Sequence, residues 1–314
     1  MTDYKKETQA WKELTEDQKR QLFSLKENIE VVDGVVYDRR TGEDVTERVS
    51  VTLNITQDQA NAYKVIKELQ THQKDNGGFV FAFISESQAI QERFPSLTQA
   101  DYAILIFMST YLSYNSGYFN YCYLVHDNGK KMDKKALKAL LGVSRNKFPE
   151  FYKKLVAEGI LLELPEGLAI NPHVFYRGTN VDKISTDYRY TRVFKQTIRE
   201  LYGKFTGRTL AKLGVIYAIL PYINFNYNTV CKNPTEVIPD KVKPMEIKQL
   251  AKELGFADYK HLAKTLKSIK YKNKAVFLFV TDGSDTRKSY IIVNPNVVYA
   301  GNGKHLESIK VQFN

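Results

Sequence analysis

INPHVFYRG (170–178) recurs as VNPNVVYAG (293–301), with Asn-Pro, a valine, a tyrosine and a glycine held in register. Working outward, DKKALKALLGVSRNKFPEFYKKLVAEGILLEL (133–164) has a counterpart in MEIKQLAKELGFADYKHLAKTLKSIKYKNKAVFLFV (245–280). Leu137, Leu141 and Gly142 match Leu250, Leu254 and Gly255, and Leu155 matches Leu266. Further upstream, LTQADYAILIFMSTYLSYNSGY (97–118) resembles RTLAKLGVIYAILPYINFNYNT (208–229), aligning Tyr111 with Tyr222 and Asn115 with Asn226. Matches that keep the same order along the chain are better explained by duplication than by chance.

Each copy is punctuated as helix, helix, turn, helix and two-stranded ribbon. Asp133 is placed to N-cap a short helix carrying Leu137, Leu140 and Leu141 at helical spacing, and Gly142 breaks it. Ser144 caps the next helix, whose Phe148, Phe151, Tyr152 and Leu155 mark one buried face. Pro149 is at odds with a helix that starts at Ser144, so that helix either begins later or bends. Gly159 closes it, and Ile160–Leu164 and Leu168–Ile170 flank a Pro165-Glu166-Gly167 turn. In the second copy, a helix at about 245–254 breaks at Gly255. Asp258 then caps a helix burying Tyr259, Leu262, Leu266 and Ile269, and strands Ala275–Thr281 and Ser289–Val293 enclose DGSDTRK. Two helices joined by a glycine turn with a ribbon behind them read as a helix-turn-helix with a wing.

Charge concentrates on these same parts. The chain has a net charge of +11. Residues 130–154 hold nine Lys/Arg against two acids, and 241–274 hold ten lysines against three acids, whereas the first fifty residues have nine Lys/Arg against twelve acids. An outer helix entering the major groove needs donors for phosphates and base edges on its exposed positions. Those positions are Ser144, Arg145, Asn146, Lys147, Lys153 and Lys154 in the first copy, supported by Lys134 and Lys135, and Lys260, His261, Lys264 and Lys267 in the second. Arg145 and Asn146 suit guanine and adenine edges, and the lysines suit phosphates. The first ribbon is acidic (Glu163, Glu166). The second carries Arg287 and Lys288 and is the better placed to reach a groove, although Asp282 and Asp285 oppose it. A solvated lysine face is the competing reading for any single position.

From Leu97 to Thr179, and again from about Arg208 to Gly301, the chain resembles the winged-helix replication initiators and DNA-binding regulators of Gram-positive plasmids and phages. The resemblance rests on LLGVSRNKFPEFYKKLVAEGIL, on the Asn-Pro closure INPHVFYRG, and on LTQADYAILIFMSTYLSY, which is similar to the first helix of two-winged-helix initiators that bind repeated origin sequences. It implies binding to a specific duplex site on mobile-element DNA and leaves open whether replication or transcription is controlled there.

Other chemistries lack their residues in the sequence. The five histidines (72, 126, 173, 261 and 305) are scattered singly, and Cys122 and Cys231 stand in no metal-ligand or disulfide pattern. No GxxxxGK[ST], GxSxG or HExxH motif occurs. The expectation is a non-enzymatic protein with no cofactor. No run approaches the roughly 20 apolar residues of a membrane span, and the opening MTDYKKETQAWKELTEDQKRQ is polar, so a cytoplasmic, nucleoid-associated location is expected.

The fold expected is mainly α with small β-ribbons (α+β). Two tandem winged-helix domains occupy 95–179 and 193–314, joined by a linker over 180–192. An N-terminal α+β appendage covers 1–94, with a charged helix over 8–29 holding Trp11, Leu14, Leu22 and Leu25. A hairpin follows over Glu30–Val49, turning near Thr41-Gly42, then a helix over Gln57–Gln73 and a strand over Gly78–Ser85. Tyr188, Arg189, Tyr190 and Arg192 interleave rings and cations, which suits either a nucleic-acid surface or internal packing. The expected partner is double-stranded DNA at repeated or palindromic sites, bound by a homodimer and linked to replication or transcription machinery. The alternatives are one DNA-reading copy beside a protein-binding copy, or a purely protein-interaction role.

Overall fold

A computed structural model of the chain describes residues 12–20, 28–33, 35–46, 57–85, 89–115, 121–179, 181, 184, 188–282 and 285–314, with the side chains of 57–58 and 282–288 left aside. The protein is mixed α+β with small sheets. Two compact units separate at Ala60/Asn61, not at the expected boundaries near 94 and 179.

In the first unit, residues 16–20 are helical, with the Thr15 hydroxyl accepting from Gln18 N at 3.3 Å. Trp11, Leu22 and Leu25 of the expected helix lie outside the described residues. β1 (Ile29–Val32) and β2 (Val35–Asp38) form a hairpin that turns at Asp33, whose φ of 50° is left-handed, so the turn falls earlier than Thr41-Gly42. Thr41-Gly42 instead sits in a second reversal, where Tyr37 bridges Asp44. Val36, Asp38 and Val45 are its buried residues among those described.

The second unit opens within α1 (Gln57–Asp75), which crosses the boundary, and continues with β3 (Phe79–Ile84), α2 (Ile90–Arg93) and α3 (Gln99–Ser109). Next come β4 (Cys122–Tyr123), α4 (Lys134–Leu141), α5 (Lys147–Ala157), β5 (Leu161–Leu164), β6 (Gly167–Ile170) and β7 (Phe175–Tyr176). β8 (Arg189–Phe194) leads directly into α6 (Lys195–Lys204) and then α7 (Leu210–Ala218). α8 (Ile247–Glu253), α9 (Tyr259–Ser268), β9 (Lys270–Tyr271), β10 (Lys274–Ala275), β11 (Phe277–Asp282), β12 (Asp285–Val293), β13 (Val298–Tyr299) and α10 (Leu306–Val311) complete it. Part of the segment read as a linker, 189–192, is therefore strand, and the repeat reaches back to Phe79. Identity between β3 and β8 is limited to Phe83 and Phe194, which is why the earlier start is hard to see in the sequence alone.

The central sheet has the order β13-β8-β3-β7, antiparallel throughout. Phe81 faces Arg192, while Val80 faces Val193 and Ala82 faces Thr191. The sequence repeat puts Phe81 and Arg192 at equivalent positions, with the same offset of 111 residues that relates Thr98 to Thr209. A residue facing its own counterpart across an antiparallel pair lies on a local two-fold axis. The edge strands obey the same symmetry, because Tyr176 pairs with Phe81 just as Tyr299 pairs with Arg192.

The helices repeat it. Thr98 and Asp101 form a capping box on α3, and Thr209 precedes α7. α3 and α7 cross so closely that a Cβ on Gly214 would stand 1.7 Å from Gln99 O and 3.2 Å from Ala103 N. Gly214 and Ala103 are themselves counterparts, so the axis passes through this crossing too. Tyr102 and Tyr217 pack beside it with ring centroids 5.7 Å apart.

The duplicated Asn-Pro motif explains itself in hydrogen bonds. Asn171 Nδ2 donates to Gly159 O at 2.9 Å and Asn294 Nδ2 to Ala275 O at 3.0 Å, each tying the ribbon's exit to its entry. Phe83 N donates to Val174 O as Phe194 N does to Val297 O, both at 3.0 Å. Gly178 and Gly301 are both required to lack a side chain, since a Cβ on either would lie 2.4 Å from the hydroxyl of Tyr176 or Tyr299.

One hydrophobic core runs through both copies, from Phe83, Ile104 and Leu137 to Ile216, Leu250 and Leu266. This shared interior is what unites the two expected winged-helix segments and residues 61–94 in one unit. A second cluster joins Phe194, Ile292 and Tyr299 to Leu306, Ile309 and Phe313 of the C-terminal segment, with Leu69 of α1 packed against it.

Candidate nucleic-acid interface

Asp133 caps α4 through Ala136 N (2.7 Å), and Gly142 ends it at a left-handed φ of 61°. α5 begins at Lys147, so Pro149 stands in the first turn, where its missing N–H has no helical partner to lose. The matching turn in the second copy has Gly255 at φ 72°, and Asp258 caps α9 through Lys260 N at 2.9 Å. Glycine is needed at both turns because a left-handed backbone there strains any L side chain. Each pair of helices thus turns its apolar face to the common core (Leu137, Phe151, Leu155; Leu250, Leu262, Leu266) and its polar face outward.

On that outward face, Lys134, Lys135, Ser144, Arg145, Asn146 and Lys153 of the first copy are exposed, as are Lys260, His261, Lys264 and Lys267 of the second. Lys134 Nζ lies 4.0 Å over the Tyr152 ring and Lys267 Nζ 4.9 Å over the Phe279 ring, leaving their charges at the surface. The Ser144 hydroxyl is partly committed, accepting from Lys147 N at 3.2 Å.

Lys147 and Lys154 are placed differently. Both are half-buried and converge on Asp101, whose side chain is fully buried at the start of α3, with Nζ–O distances of 2.8 Å from Lys147 and 3.4 Å from Lys154. Thr98 N and Oγ1 also donate to this carboxylate at 2.9 and 2.8 Å. Burial pushes the Asp101 carboxyl upward, but Lys147 and Thr98 outweigh it and hold it below the ordinary aspartate value. Glu150, 2.6 Å from Lys154, raises that ammonium's pKa against the opposing effect of burial, with Asp101 adding to it. These two lysines, expected to meet phosphates, serve as counterions inside the protein.

The ribbons differ as well. Glu163 of β5 accepts from the buried Tyr152 hydroxyl at 2.6 Å, and Glu166 pairs with Lys131, so the acids of the first ribbon are both engaged. In the second, β11 and β12 run on to pair Asp282 with Asp285. The expected loop DGSDTRK is therefore largely strand, because its Asp285-Thr-Arg-Lys portion continues β12. Arg287 and Lys288 fall on that strand, and their side chains lie outside the described residues.

Of the ring-and-cation stretch, Arg192 is internal, donating through Nη1 to Gly301 O (2.9 Å) and Ala300 O (3.2 Å). Tyr190 packs its ring 5.0 Å from Phe81. Lys138 on α4 and Lys248 and Lys252 on α8, not among the expected contacts, are also exposed on the helices preceding the two outer ones. They belong to the same charge islands, and Lys138 shares α4 with Lys134 and Lys135.

Cys122 and Cys231 are buried free thiols, each pushed up to about 11 by burial. Among the described residues, no cluster of three or more His, Cys, Asp or Glu is arranged to hold a metal ion, and no helix is long and apolar enough to cross a membrane. The chain matches no family model, no curated protein and no solved structure.

Proposed function

We propose that residues 61–314 form a double-stranded-DNA-binding protein in which two winged-helix heads, related by an internal two-fold axis, are carried on one chain. The observation that carries this reading is the exposure of cations on both outer helices: Arg145 and Lys153 on or beside α5, and Lys260, Lys264 and Lys267 on α9. None of these five makes an ion pair among the described residues. Unpaired cations on the second helix of a helix–glycine–helix unit suit phosphates flanking a major groove, with Arg145 and Asn146 placed for base edges. Lys147 and Lys154 are not included, because a phosphate would have to draw them away from a buried carboxylate.

A two-fold relating the heads is the symmetry of a palindromic site. A single chain then does what a homodimer would otherwise do, and the site is an inverted repeat with one half for each head. The resemblance to plasmid and phage initiators and regulators favours a site on mobile-element DNA, at an origin or a promoter. The test is a binding titration of the full chain against duplex fragments at increasing salt. Phosphate-mediated binding predicts a steep linear fall of log K with log salt, at about 0.9 per phosphate neutralised, and a flat response contradicts it.

A further inference from the structure

We propose that the recess bounded by Thr110–Tyr114, His126–Gly129, Arg177 and the start of α6 binds a phosphate-class oxyanion. The cavity measures about 310 Å³, at the lower end of the range of ligand pockets. Three cationic side chains line it, Arg177, Lys195 and Arg199, and Asp127 is the one carboxylate among its lining residues. Asp127 is already held by Arg199 Nη1 at 2.8 Å.

The arginines are fixed in place from behind. Arg199 donates from Nε to Thr110 Oγ1 (3.0 Å) and from Nη2 to Thr110 O (2.9 Å), with its guanidinium 3.7 Å over the Tyr111 ring. Arg177 donates from Nη1 to Leu112 O at 2.8 Å. Lys195, half-buried between them, has no side-chain hydrogen bond or ion pair among the described residues. Its ammonium is pushed down to about 8, first by burial and then by Arg177 and Arg199. Three like charges gathered in a recess with one carboxylate repel one another, and an incoming dianion relieves that repulsion. Planar guanidinium forks with an adjoining ammonium are the donor set that phosphate oxygens favour.

The internal symmetry supplies a control. Ala300 stands at the position equivalent to Arg177 and Ile84 at the position equivalent to Lys195, so the other copy carries neither of these charges.

The phosphate can come from a free phosphorylated molecule or from a nucleic-acid backbone, and only the second source rests on the function proposed above. The experiment measures thermal stability and calorimetric binding of the full chain with inorganic phosphate, using chloride at matched ionic strength as reference. K195M and R177A serve as variants. K195M is expected to fold and to melt higher than wild type without phosphate, because it removes the repelled charge. Phosphate is expected to stabilise wild type, and each variant to weaken its binding by about tenfold, the size of one charge-assisted hydrogen bond. Binding should also decline above about pH 8 as Lys195 loses its proton. His126, Asp127, Tyr111 and Tyr114 face the same recess and are kept in both variants. Should phosphate have no effect while both variants weaken duplex binding and each lowers the salt slope by about one, the source is a backbone phosphate. Phosphate binding without any duplex binding upholds the recess and removes the DNA reading. If phosphate has no effect and duplex binding is unchanged in both variants, the proposal is overturned.

Discussion

Lys147 reaches from the first turn of α5 to within 2.8 Å of Asp101 Oδ1, and so ties an outer helix to the fully buried start of α3. The pair shows how a lysine on a basic helix can be an internal counterion. D101N keeps an acceptor for the Thr98 cap but leaves Lys147 and Lys154 only the exposed Glu150 as a shared anion. Breaking a buried ion pair from one side costs about 3 kcal/mol, and urea unfolding should show a loss of that order. K147M should lower stability in the same assay and change duplex affinity less than twofold, in contrast to removal of Arg145.

Acid should weaken the fold in two separate windows. His72 on α1 is 3% exposed, its Nε2 lies 2.9 Å from Pro295 O, and its ring meets Phe194 edge-on. Burial holds it below the ordinary value of 6.5. The unfolded chain therefore takes up a proton first, and stability falls as pH drops below 6.5 toward the folded value. Asp101, depressed from 3.8, contributes stability above that pH that is lost only as pH falls through its lower folded value. Denaturation midpoints between pH 7.5 and 5 should decline in wild type, and the decline should be shallower in H72Q, whose side chain can still donate to Pro295 O.

Gly214 should resist its most conservative replacement. Helix propensity alone favours alanine there by about 1 kcal/mol. Against that stands the 1.7 Å approach of the new Cβ to Gln99 O, a backbone atom that moves only with its helix. Overpacking of this kind costs about 1–3 kcal/mol or more, so G214A should lower the melting temperature despite the better propensity. The reciprocal A103G relieves no contact and should cost only about 1 kcal/mol through propensity.

Much of this architecture could be read from residues. The Asn-Pro closures, the left-handed glycines at 142 and 255, and the caps at Asp133 and Asp258 all act through local backbone chemistry, and their spacing survives in the sequence. What could not be read was set by long-range packing. The axis through Phe81 and Arg192 joins residues that share no side-chain character. The Asp101–Lys147–Lys154 cluster joins a cap to a helix some fifty positions away, and nothing local separates Lys147 from the exposed Lys153. The cationic recess was hidden in the same way, since Arg177 follows β7 while Lys195 and Arg199 stand one turn apart on α6, and only folding brings them to one cavity.

The most direct measurement of the central claim is fluorescence anisotropy of a labelled duplex titrated with wild type, R145E/K153E, K260E/K264E and the four-fold variant over a range of salt. Two working heads predict that each double variant weakens binding at least about tenfold and lowers the salt slope by about two, with the effects combining in the four-fold variant. If only one of the double variants loses affinity, or if neither does, two DNA-reading heads on one chain are contradicted.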